Sequence, residues 1–239
     1  STSTNILGEQ NLSPDVFYVD LSQLPVIPAP IPVSSAWQNR SLPAGGAVWA
    51  SISGDGERVA FSSSSSQHVP GDIEDQRDDL FVWEKSTQSV RKISAPLAPQ
   101  VGYAPVMLPK ISFNGRWVTV TSRAFWWDSS VTDREENDTI LLDLETDRYE
   151  VLSRFFGGGA SGDEAVATTT LNPGKSVSDD GRIALFETET NRVIWNYGSD
   201  QNGKKDVFLS SCSMPDHPSV CAGDGSTTAC PTSSFGTPG

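Results

Sequence analysis

Histidine, long apolar stretches and helical periodicity are all scarce in this chain, and each scarcity removes a class of answer. No segment sustains an apolar period of about 3.6 residues, so a helical fold is excluded. No apolar run approaches the roughly 18 residues of a membrane-spanning helix, and Ser1-Thr-Ser-Thr-Asn5 has neither the charged nor the apolar region of a signal peptide. An exported form would therefore have lost its signal already. With two histidines, His68 and His217, and no Gly-x-Ser-x-Gly motif, a Ser-His-Asp hydrolase has little to work with. Glycine-rich phosphate loops, paired-cysteine metal motifs and haem attachment motifs are missing too. Basic residues are outnumbered, 17 against 30 acids, and the net charge of -13 argues against nucleic acid or an anionic membrane as partner. That charge suits calcium or a basic partner, and it also serves to keep an extracellular protein soluble.

Cysteine is absent from most of the chain. All three, Cys212, Cys221 and Cys230, lie in a tail (211–239) rich in Ser, Thr, Pro and Gly. Little else there fixes the backbone, so one local disulfide and an oxidising compartment are expected, secreted, periplasmic or cell-surface. Three pairings are open, and the spare thiol is either free or cross-linked to another chain. The wide spacing argues against zinc.

What is present is repetition. Ile52-Ser-Gly-Asp-Gly-Glu-Arg-Val-Ala-Phe61 returns as Ile111-Ser-Phe-Asn-Gly-Arg-Trp-Val-Thr-Val120 and as Val177-Ser-Asp-Asp-Gly-Arg-Ile-Ala-Leu-Phe186, 59 and then 66 residues on. Each copy is followed by an acid and a strand-forming run: Asp79-Leu-Phe-Val-Trp-Glu84, Asp138-Thr-Ile-Leu-Leu-Asp143 and Asp206-Val-Phe-Leu-Ser210. Asp15-Val-Phe-Tyr-Val-Asp20 opens a fourth, partial copy. Asp-Gly or Asn-Gly between apolar stretches marks a tight turn, and the alternation in Arg58-Val-Ala-Phe-Ser62 marks a strand. Short fourth strands follow at Val90–Ile93 and Tyr149–Leu152. Each unit thus reads as a four-stranded antiparallel meander, too small to bury both faces alone, so units must stack radially or linearly.

These copies, at Ser53 to Ile93, Ser112 to Leu152 and Ser178 to Leu209, resemble the TolB-type β-propeller repeats: serine, Asp-Gly turn, apolar strand, loop, then Asp with an aromatic strand. The resemblance covers about half the chain and implies an all-β propeller of about four blades, or part of a larger one, with an irregular cysteine-bearing tail. It implies nothing specific about activity. The divisions are 1–47, an N-terminal half blade and proline-rich linker; 48–210, repeats at 48–94, 107–153 and 173–210; and 211–239. The N-terminal copy has only its last two strands, from Asp15 to about Ile27. Those strands are expected to complete the last blade of a four-bladed ring, the alternative being a larger propeller completed by a partner chain or by sequence that was removed. Leu24 to Pro32 reads as a stiff spacer, with a docking ligand as the alternative, Phe155 to Gly162 as a flexible connection, and Ser62 to Ser66 as a polar loop within a blade.

The acidic loops before each third strand are the candidate metal sites: Asp200, Asn202 and Asp206; Asp72, Glu74 and Asp79; Asp133, Glu135 and Asp138, with Glu9, Asn11 and Asp15 in the partial copy. Oxygen ligands at alternating positions on a tight loop are what calcium needs, and calcium is the candidate cofactor. The Asp200 loop has the Asp-x-Asn-Gly start but lacks the closing Glu, and Lys204 and Lys205 flank it. The bland alternative has Asp15, Asp79, Asp138 and Asp206 bonding backbone at the blade edge. Phe125, Trp126 and Trp127 are candidate binding residues for a sugar or a protein, against simple packing on a neighbouring blade. Trp83 and Trp117 belong in the core; Trp37, Trp49 and Trp195 are undecided. The expectation is a non-catalytic, secreted or cell-surface binding or assembly module that self-associates or holds a protein partner. The competing expectation is a carbohydrate-active hydrolase or sugar-binding propeller using carboxylates in a central pocket. A fragment whose function lies elsewhere is the third.

Overall fold

The computed structural model describes residues 13–26, 28–38, 45–72, 77–93, 106–122, 138–152, 177–188 and 206–211. They form twelve strands in four sheets, and no α-helix occurs among them. β1 (Phe17–Tyr18) pairs with β2 (Ile31–Pro32) as a ribbon. β3 (Ala47–Ile52), β4 (Arg58–Ser63), β5 (Asp79–Glu84) and β6 (Ser89–Ile93) form the first antiparallel meander. β7 (Met107–Ile111), β8 (Trp117–Ser122), β9 (Asp138–Asp143) and β10 (Arg148–Val151) form the second. β11 (Ile183–Thr188) and β12 (Asp206–Ser211) form the third unit, with Val177 bridging to Ala184.

One side-chain arrangement builds the β3–β4, β7–β8 and Val177–β11 corners. In the first, the Ser53 hydroxyl donates to Asp55 Oδ1 at 2.5 Å, and the same carboxylate accepts the Glu57 amide at 3.0 Å. Arg58 N then donates to Ser53 Oγ at 3.0 Å. Ser112 and Asn114 repeat this at 2.7 Å, with Arg116 N and Trp117 N as the donors. Ser178 and Asp180 repeat it at 2.6 Å, with Arg182 N and Ile183 N. Short polar side chains here supply the backbone bonds that the turn itself lacks. The glycine that follows sits at φ 75, 74 and 68 in the three copies, the left-handed region where a Cβ is penalised.

The units stack face to face. Alternation along a strand gives each sheet one face toward the preceding unit and one toward the following unit. Phe61, Phe81 and Trp83 pack upstream, against Tyr18 and Val33. Ala60, Leu80 and Val82 pack downstream, against Val118, Val120, Ile140 and Leu142 of the second meander. Trp117 and Leu141 repeat the downstream role against Val177, Ala184 and Phe186. Both faces of the central strands are therefore buried, and β8 and β9 are buried throughout. The alternation read from the sequence is real, but it separates two neighbours instead of core from solvent. Trp83 and Trp117 are core, as expected.

The turns also touch one another in a row. Asp55 N donates to the Phe113 carbonyl at 3.2 Å, and the Asn114 side-chain amide donates to the Asp179 carbonyl at 2.7 Å. Arg58 reaches the Gly115 carbonyl at 3.0 Å, and Trp117, at the same repeat position, lies over Gly181. At the outer end Arg91 clamps the second unit through Asp147 at 2.8 Å and the Leu144 carbonyl at 2.7 Å.

Three expectations are corrected. The proline-rich stretch is more than a spacer: its end is β2, and Val33 and Ser34 behind it are fully buried. A proline is tolerated at that edge because it needs no partner for a missing N–H. The second N-terminal strand accordingly falls at 31–32, beyond Ile27, and the ribbon packs on the first full meander, leaving β11–β12 a separate sheet. The serine run is no solvent loop, since Ser62 and Ser63 end β4 and Ser65 is buried.

Gly181→Ala tests the turn. A Cβ there would stand 2.3 Å from the Trp117 ring, whereas at Gly71, also at positive φ, nothing lies within 4 Å. Left-handed strain alone costs about 1 kcal/mol and overpacking adds about 1–3 kcal/mol. Thermal unfolding should place Gly181→Ala several degrees below Gly71→Ala; equal Tm values would contradict the stacking.

Candidate functional site

The innermost strands β3 and β7 lie beside each other, and Ile111 N donates to Ser51 Oγ across the gap at 3.2 Å. Both strands carry the same irregularity. Their register shifts between Val48 and Ser51 and between Met107 and Lys110. At the shift Trp49 has φ 49 and Leu108 φ 52, bulky side chains in a conformation that favours glycine. In the third copy the sequence puts Gly174 at this place, outside the described residues. Trp49 is 42% exposed and Ile52, further along the same strand, 53%. Ile52 is turned toward the upstream side, the side on which its counterparts Ile111 and Val177 are buried. Upstream, the described residues supply the two-stranded ribbon and the segment after it, and these leave Trp49 and Ile52 exposed.

A second polar cluster lies deeper. Lys92 on β6 donates to Asp72 at 2.5 Å and to Asp79 at 2.7 Å. Burial works against the ammonium, but the bonds and charges of Asp72 and Asp79 outweigh it and hold Lys92 above its ordinary value. The cation these two carboxylates share is thus a lysine. Beside them His68 is buried, its ring edge-on to Phe61 and Phe81. His68 Nε2 stands 2.8 Å from Ser63 Oγ and Nδ1 3.4 Å from the Ser35 carbonyl. Ser63 itself donates to the Gly46 carbonyl and is buried. A serine next to a histidine suggests a nucleophile, but here both are sealed from solvent and tie the 33–36 segment and the start of β3 to β4. Burial pushes the His68 ring below its ordinary pKa, against smaller opposite effects of Ser35 and Asp72.

The remaining sequence-derived residues divide as follows. Asp138 is buried at the start of β9, opposite Ser122, as Asp79 is paired with Ser63 in β5. Asp206 opens β12 opposite Thr188. Asp15 is buried, and its carboxylate accepts from Ser34 Oγ at 3.4 Å. The acid before each third strand therefore holds one register position at the sheet end. Glu74, Asp133, Glu135, Asp200, Asn202, Phe125, Trp126, Trp127, Cys212, Cys221 and Cys230 lie outside the described residues. Among the described residues no three His, Cys, Asp or Glu side chains cluster as a metal site would need. No helix among them is long and apolar enough to cross a membrane. Sequence reasoning left Trp49 undecided and missed Lys92, which reaches its acids from a strand 13 and 20 residues away in the chain.

Four-stranded antiparallel meanders stacked face to face, with first strands adjacent, are β-propeller blades. Solved propeller proteins are similar at low overlap. TolB from Acinetobacter baumannii matches at 13% identity and TM-score 0.42 over 79% of this chain and 34% of its own. A putative TolB from Agrobacterium tumefaciens matches at 14% identity and TM-score 0.42 over 82% and 56%. The tricorn protease matches at 16% identity and TM-score 0.40 over 77% and 13%. The chain thus spans about a third of the first of these structures and just over a half of the second. No protein-family model matches the sequence, and no curated protein does.

The His68 environment sets a pH dependence. Its folded pKa lies below the unfolded value of 6.5, so the unfolded chain binds the proton more readily. The contribution is fully present above about pH 6.5 and is lost as pH falls from there to the folded pKa. Urea midpoints at pH 7.5 and pH 5.5 should differ, and His68→Gln should shrink the difference. An unchanged difference in the variant would assign it to other groups.

Proposed function

We propose that this chain is a non-catalytic propeller module that binds a protein partner through the inner end of β3. One observation carries this reading: Trp49 is held exposed in a strained left-handed conformation, next to the exposed Ile52. The same backbone conformation recurs at the half-buried Leu108, so the strain belongs to the repeat, and the exposed aromatic ring is what sets β3 apart. Tryptophan is the side chain most enriched in the anchoring positions of protein interfaces, and Ile52 beside it adds exposed apolar surface. The sealing of the Ser63–His68 pair from solvent supports a structural role for this contact. An exported location rests on the three tail cysteines and on the acidic charge.

Co-purification from the native source tests the partner. Trp49→Ala with Ile52→Ser should lower retention of a stoichiometric partner at least tenfold while circular dichroism and Tm stay unchanged. Undiminished retention would remove the site from this role. We further propose calcium on the loop from Asp200 to Asp206, supported by residue spacing. EDTA should then lower Tm and added calcium restore it; an indifferent Tm would end that assignment.

A further inference from the structure

The two ends of the stack present faces that its middle covers. At the repeat position of Ile183 the earlier copies have Arg58 and Trp117, and both reach downstream onto the next unit's turn. At the position of Val207 the first copy has Leu80, which is fully buried against the second meander. In the third unit the same positions are open: Ile183 is 44% exposed and Val207 56%, with Leu185 half-buried beside them. Upstream the mirror situation holds. Val16 and Tyr18 pack on the first meander, so Phe17 and Val19 point the other way, and both are half-buried. Their counterparts in the full meanders are Phe81 and Trp83, then Ile140 and Leu142, all buried under the preceding unit.

We propose that two copies of this chain associate head to tail, each copy's β11–β12 face packing on the other copy's β1–β2 ribbon about a two-fold axis. The contact would repeat what already joins neighbouring units within the chain: an apolar downstream face set on an apolar upstream face at fixed register. A second copy is the occupant because one chain carries both halves of that contact, and among the described residues they are not joined: β1–β2 lies against the first meander and β11–β12 against the second. Two such contacts close the pair and leave no free end, whereas one alone would propagate as an open array. The net charge of -13 on each copy opposes the pairing, so screening by salt strengthens it. The proposal does not rest on the Trp49 site, which lies on β3.

Size-exclusion chromatography with light scattering of the full chain tests it. The expected mass is twice 25.7 kDa, held or increased on raising salt. Ile183→Asp and Phe17→Asp should each halve the mass with unchanged far-ultraviolet circular dichroism, because each change damages both contacts. An equimolar mixture of the two variants should regain a dimer through the one contact left intact. Val207→Asp replaces Ile183→Asp if that variant loses its fold, and Val19→Asp replaces Phe17→Asp in the same way. A monomeric wild type overturns the proposal. So does a dimer that survives Phe17→Asp, which would mean two β11–β12 faces joined to each other, and so does a mass that climbs stepwise with concentration.

Discussion

A serine hydroxyl bonded to the Asp or Asn two residues on is the contact from which the rest of this architecture follows. It fixes the corner where the first strand of each unit turns into the second, and it puts a glycine at positive φ on the outside of that corner. The glycine gives a bare backbone surface on which the preceding unit rests Arg58 or Trp117. Without the corner the strands would have no common register; without the bare surface the units could not approach. Burial of Phe61, Phe81, Trp83 and Trp117 then supplies the driving force, about 2–3 kcal/mol for a side chain of Phe size.

The polar interior serves the same end. Lys92 with Asp72, and His68 with Ser35, join elements that share no strand pairing: the loop after β4, the fourth strand and the N-terminal segment. Such groups would be costly if left without partners, so each is satisfied by a specific neighbour, which makes one arrangement preferable to the many that an apolar interior would tolerate. The acids that seemed suited to calcium at Asp72 and Asp79 serve this joining role through the lysine.

What the sequence made visible was local. Asp-Gly and Asn-Gly corners, the strand after each, and the short fourth strands at Val90 and Tyr149 are set by residues a few positions apart, and the structure has them at β4, β6, β8 and β10. What it hid was non-local or backbone-encoded. β2 lies inside a proline-rich stretch whose composition suggests no pairing, and it forms because Val33 finds a pocket against the first meander. The bulge at Trp49 and Leu108 has no residue signature in those two copies; Gly174 in the third was the one hint. Lys92 carried no signal of its own because its acids come from the other end of a loop.

Since the core clusters of the described residues join each unit to its neighbours, the ends of this stack differ from its middle in how they move. Releasing the β1–β2 ribbon or the β11–β12 pair gives up one interface, while releasing either full meander gives up two. Fluctuations should therefore start at the termini and travel inward, so that amide protection rises toward β5 and β8. Whatever covers an end would quiet the whole file from that side, and a change at Gly181 would be felt as loosened motion far beyond its own corner.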